Sequence, residues 1–206
     1  MEQTRRSLLS SWFLFIVSFV EGGAVMAVEI TGAKLVGPYY GSSLYVWAAV
    51  LALTLGGLTT GYFLGGLVSR RYPCKRTLYL IMLASALLVL LMPWSARLVM
   101  TATLDLDLRL GITLSCLAFL FPPLICFGMV SPLIIRLVTP HDSRVGHAAG
   151  TVYAVSTVGG IIATYLVAFY AIPDVGMRES LLFTAAMLGL FPLLYFSGVE
   201  RRITGG

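Results

Sequence analysis

Charge is scarce in this chain. Asp, Glu, Lys and Arg make up only 11% of its 206 residues, against about 25% in soluble domains. With 58% of the residues hydrophobic, that shortage excludes an ordinary soluble domain and points to an integral membrane protein. Cysteine is equally sparse, at three residues, so no disulfide framework is available. Cys116 and Cys126 fall ten positions apart on one expected helix, about 15 Å in rise, too far to be bridged. Cys74 falls in an expected cytoplasmic loop, a reducing place. The two histidines, His141 and His147, flank Asp142 and Arg144 without metal-ligand spacing. These five residues are read as structural or incidental. Also missing are a glycine-rich phosphate loop in strand–helix context, a nucleophile elbow and an HExxH motif. The expectation is therefore a non-enzyme with no metal and no cofactor.

What the chain does have is long apolar runs. A membrane span needs about 20 mostly apolar residues. Six segments qualify, at about 10–32, 43–68, 77–96, 110–135, 148–172 and 179–198. Their connections are short, so residues 1–206 are read as one all-α transmembrane domain, a six-helix bundle that could divide into two three-helix repeats.

The net charge of +5 comes from 14 Lys and Arg against nine Asp and Glu. In a six-helix topology the cations sort by side. Arg5, Arg6, Arg70, Arg71, Lys75, Arg76, Arg136, Arg144, Arg201 and Arg202 share one side, while Lys34, Arg97, Arg109 and Arg178 share the other. That ten-to-four split places both termini in the cytoplasm of a multi-pass inner-membrane protein. Cations so placed set orientation and contact anionic lipid head groups, and no nucleic-acid partner is implied. The N-terminal Thr4-Arg5-Arg6-Ser7-Leu8-Leu9 superficially resembles a twin-arginine export signal. No clean small-x-small cleavage site follows it, so the segment is expected to stay in place as the start of the first span.

Two acids interrupt that first span, Glu21 and Glu29. A charge at the bilayer centre costs roughly 2.5–3.5 kcal/mol on insertion scales, so an intramembrane carboxylate faces a partner, a cavity or a substrate. Eight residues separate the two, which is about 80° around a helix and about 12 Å along it. Both can line one broad inward stripe. One reading makes them a binding site; the other makes them protonated or Arg-paired groups that only hold helices together.

Small residues follow a pattern too. Gly57, Gly61 and Gly65 recur every four residues on helix 2, and Ser156, Gly160, Thr164 and Ala168 repeat the device on helix 5. Such ridges let a neighbouring backbone approach closely. Pro122 and Pro123 fall near the middle of helix 4 and predict a kink or unwinding, a hinge, because proline removes a backbone donor and clashes with the preceding turn. Gly22-Gly23 could interrupt helix 1 in a corresponding position, and paired interruptions point to a binding site in transporter-like folds. Asp105, Asp107 and Arg109 suggest a short interfacial segment, and Asp174 a cap for the sixth helix.

Two stretches carry a resemblance. One runs from Glu29-Ile-Thr-Gly-Ala-Lys34 through Gly37-Pro38-Tyr39-Tyr40-Gly41 to Gly61-Tyr62-Phe63-Leu64-Gly65-Gly66 and Arg70-Arg71. The other runs from Gly150-Thr151-Val152-Tyr153 through Gly159-Gly160 to Pro173, Gly176 and Arg178. Together they resemble the membrane part of the spermidine-synthase-like membrane proteins, described as a major-facilitator-like half fused to an aminopropyltransferase. Glu29 falls on that family's acidic position and Lys34 on its basic one. Glu21 stands where the family has a small residue, and Ser69 where it has an Asp. The family's catalytic domain is absent from this sequence, so a stand-alone membrane module is expected.

The resemblance implies a polyamine-related module that recognises or moves an organic cation, with Glu21, Glu29, Tyr39, Tyr153 and Arg178 as candidate binding residues. Arg178, Tyr39 or Tyr153 is expected to reach Glu29. Six helices are half a facilitator, so a homo-oligomer or other membrane subunits are expected partners besides the lipid bilayer. The alternative is a non-catalytic anchor or scaffold that docks a separately encoded cytoplasmic aminopropyltransferase-like protein.

Overall fold

The structure is a computed structural model that describes the backbone of residues 2–139 and 145–198, with side chains from Trp12 onward. Among the described residues there is no strand. In chain order the elements are α1 (Glu2–Tyr40), α2 (Leu44–Arg71), α3 (Lys75–Thr103), α4 (Leu108–Phe119), α5 (Phe121–Val138) and α6 (Val145–Leu166). A π-helical segment (Val167–Val175) extends α6, and α7 (Met177–Phe196) closes the bundle. Six of these stretches are long and apolar enough to cross a membrane, with α4 a shorter apolar helix leading into α5.

Several ends differ from the sequence expectation. Helix α1 runs on to Tyr40, past Lys34 and through Pro38, because one exposed cation and a proline near the C-terminus leave the earlier hydrogen bonds intact. Gly41 then turns the chain with φ +76°, a conformation glycine adopts without steric cost. No interruption occurs at Gly22-Gly23, which stay helical. The fourth crossing does break. Helix α4 ends at Phe119, Leu120 intervenes with φ −95°, and α5 restarts with prolines in its first turn. A proline at a helix start loses nothing, since its missing N–H would have been unpaired there anyway.

The helices pair in a regular way. The most extensive packings join α2 to α5 and α1 to α6, followed by α3 to α7. Exchanging the first three crossings with the last three turns the α2–α5 pair into the α6–α1 pair and leaves α3–α7 unchanged. Two three-helix repeats would pack in this way. The core divides into two clusters at opposite ends of the bundle. One gathers Leu14, Val17, Tyr79, Met82, Ile134 and Phe191, and the other gathers Val36, Val46, Met92, Phe119 and Leu181. Phe13 meets Phe191 edge-on at 5.7 Å, which brings the described start of α1 beside the end of α7. Lipid tails are as apolar as these side chains, so close packing rather than hydrophobic transfer holds the bundle together.

Candidate functional site

Small residues bring α1 and α6 into near backbone contact. A Cβ on Gly22 would collide with the Ser156 carbonyl and hydroxyl, and one on Gly159 with the Phe19 carbonyl. Ser18 Oγ donates to the Val152 carbonyl at 3.1 Å across the same crossing. Glu21 is held at this seam with only 3% of its surface exposed. Ser156 Oγ donates to Glu21 Oε2 at 3.4 Å, a long and therefore weak bond. Tyr153 lies three residues before Ser156, on the same face of α6. Its ring meets Tyr62 of α2 edge-on, with centroids 6.4 Å apart. A buried carboxylate, a hydroxyl donor and two half-exposed phenol rings thus converge from three helices.

Glu29 is also inside the bundle, 8% exposed, but among the described residues no side chain hydrogen-bonds or ion-pairs with it. The partners expected for it are engaged elsewhere. The Arg178 guanidinium sits over the Trp94 ring, 5.2 Å from its centroid, because both occupy the same end of the bundle and the ring face attracts a cation. Tyr153 turns to Tyr62, and Tyr39 packs half-buried against the apolar core. The single broad stripe of two acids therefore resolves into two separate positions. One is at the α1–α6 seam beside Ser156; the other has no polar side-chain partner among the described residues.

The ridge of helix 2 serves packing. Cβ atoms on Gly57 and Gly65 would come within 2.8 Å of Leu124 Cβ and 2.7 Å of Met129 Cα, and one on Gly61 within 2.7 Å of Gly128 Cα. On α6 the contact line is shifted from the expected one. Gly159 is the tightest point, a Cβ on Gly160 would come within 3.0 Å of the flexible Met26 Cγ but no closer than 3.4 Å to the Gly22 carbonyl, and Ala168 is exposed. Asp174 does not cap the last helix; it lies within the π segment, and Gly176 takes the cap position. Asp107 does cap α4, accepting from the Arg109 amide at 3.0 Å. Pro122 and Pro123 follow the Leu120 break, in the first turn of α5.

Among the described residues no cluster of His, Cys, Asp or Glu could hold a metal ion. Cys116 and Cys126 are free thiols on separate helices. Arg70, Arg71, Lys75 and Arg76 gather at the turn joining α2 to α3. Cys74 is exposed there, and a hydrogen bond from Thr77 at 3.1 Å, together with Arg76, lowers its thiol below the ordinary cysteine value. The side chains of Arg5 and Arg6, and the whole of His141, Asp142, Arg144, Arg201 and Arg202, lie outside the described residues.

Sequence reasoning missed Tyr62, Ser18 and Gly159. Tyr62 carried a usable signal, a polar aromatic immediately after Gly61 in an apolar span; the other two depend on the crossing geometry. No known protein family, curated protein or solved structure matches the chain.

Proposed function

We propose that this protein is a polyamine-related membrane module, the counterpart of the membrane part of the spermidine-synthase-like proteins, that recognises or moves an organic cation. The observation that carries this reading is Glu21. A carboxylate 3% exposed inside a membrane-spanning helix has a single long hydrogen bond from Ser156 for compensation. Such a group attracts a cation strongly, and a cation desolvated there needs good geometry to be compensated. The Tyr62 and Tyr153 rings beside this crossing support the reading, since ring faces attract ammonium groups by about 0.5–2 kcal/mol. Movement across the bilayer would use a second copy or a partner to complete the cavity. The test is equilibrium binding of labelled spermidine to the purified full chain, wild type and Glu21→Gln. Wild type should bind saturably and the variant about tenfold more weakly or worse, as expected for a lost charge-assisted contact, with thermal stability kept. No saturable binding by wild type ends the cation reading.

A second reading, an anchor subunit that docks a separate cytoplasmic enzyme, is favoured by the four cations around Cys74. A stoichiometric enzyme partner on purification would select it. In both readings the α2–α3 turn faces the cytoplasm of the inner membrane. A membrane-impermeant maleimide should therefore leave Cys74 unlabelled in intact cells and label it after lysis; labelling from outside inverts the topology.

A further inference from the structure

A cavity of about 450 Å³ lies between α1, α6 with its π-helical extension, and α7, on the side of α1 away from both acids. Ala27 lines it, and Glu29, two residues on, points about 200° round the helix. Small residues create the space: Gly23, Ala24 and Ala27 on α1 face Ala163 on α6. Its size falls in the range of about 300–1,000 Å³ typical of small-molecule sites. The interior offers almost nothing to a polar guest. Ser180 Oγ is spent on the Gly176 carbonyl at 2.6 Å, and Thr184 Oγ1 on the Ser180 carbonyl at 2.8 Å. One charged group stands among the lining residues, the exposed Glu179 in the first turn of α7. Its neighbour Arg178 is drawn off toward α3 by Trp94, so among the described residues no cationic side chain pairs with Glu179 at this mouth.

We infer that this cavity is a lipid site that takes an acyl chain of a membrane phospholipid whose head carries a primary ammonium. The chain fills the apolar interior and the ammonium meets the Glu179 carboxylate. Charge complementarity selects this occupant. Both heads carry a phosphate, but a glycerol head brings only neutral hydroxyls to the carboxylate, whereas an ethanolamine head brings its own cation and makes a charge-assisted hydrogen bond. The site is independent of the cation reading at Glu21.

Native mass spectrometry of the full chain, released from micelles doped with phosphatidylethanolamine or phosphatidylglycerol of identical acyl chains, tests it. Wild type should retain the ethanolamine lipid about tenfold more than the glycerol lipid, the effect of one charge-assisted hydrogen bond. Glu179→Gln, an exposed and structurally mild change, should abolish the preference while keeping lipid bound. Ala163→Leu, at a half-buried position, should lower retention of both lipids by filling the cavity. Equal retention by wild type, or an unchanged preference in Glu179→Gln, overturns the proposal.

Discussion

Where α2 crosses α5, Gly61 meets Gly128 and the neighbours are Leu124, Ile125 and Met129. Where α1 crosses α6, Gly22 and Gly159 give the same close approach, but Ser18, Glu21, Ser156 and Tyr153 stand around it. The pairing of helices relates the two crossings, so their difference isolates what chemistry adds to a shared packing device. At the apolar crossing the glycines serve only distance. At the polar one the same distance brings a carboxylate within reach of a hydroxyl on another helix, and shuts lipid away from both.

The largest effect is expected at the apolar crossing. Gly61→Leu drives a branched side chain into the Ile125 carbonyl and the Gly128 backbone, where nothing can swing aside. It should cost about 3 kcal/mol or more, read as a steep fall in thermal stability in detergent. An unchanged midpoint would mean that the crossing is looser than its glycines imply, and the comparison would break there.

Next comes a contrast within the polar crossing. Gly159→Ala meets the fixed Phe19 carbonyl, whereas Gly160→Ala meets the flexible Met26 side chain. The first should cost about 2 kcal/mol and the second under about 1 kcal/mol. Equal costs, measured by the same unfolding assay, would restore the expected ridge through Gly160. Smallest is Ser156→Ala. Removing one long hydrogen bond should lower stability by about 0.5–1 kcal/mol, while spermidine affinity changes more than stability does. A variant whose affinity is unaltered would reduce the polar crossing to a packing seam like its counterpart.

The span count, the Gly57–Gly65 ridge and the Pro122–Pro123 break were legible because each rests on local chemistry. Length and hydropathy determine a span, four-residue spacing determines a face, and proline lacks an N–H whatever surrounds it. The pairing of Glu21 with Ser156 was not legible. It joins residues 135 positions apart, and their meeting depends on how α1 and α6 cross. Gly22-Gly23 misled for a related reason: glycines that thin a helix for a neighbour look, in sequence, like glycines that break it. Arg178 misled because its partner Trp94 lies on another helix, and an aromatic acceptor leaves no charge pattern to read.

The interruption at Leu120 sets a mechanical contrast between two crossings that the pairing pattern makes equivalent. In α1 a bend anywhere before its last turn, where Pro38 lies, must stretch backbone hydrogen bonds, so that length behaves as a rod. In the fourth crossing, Pro122 and Pro123 have no N–H to offer the Ala118 and Phe119 carbonyls, so flexing there strains fewer bonds, chiefly those of Leu120 to the Cys116 carbonyl and of Leu124 to the Leu120 carbonyl. One is a strut and the other a jointed lever, and a load applied to the bundle would swing α4 on α5 while the helix that carries Glu21 stays straight.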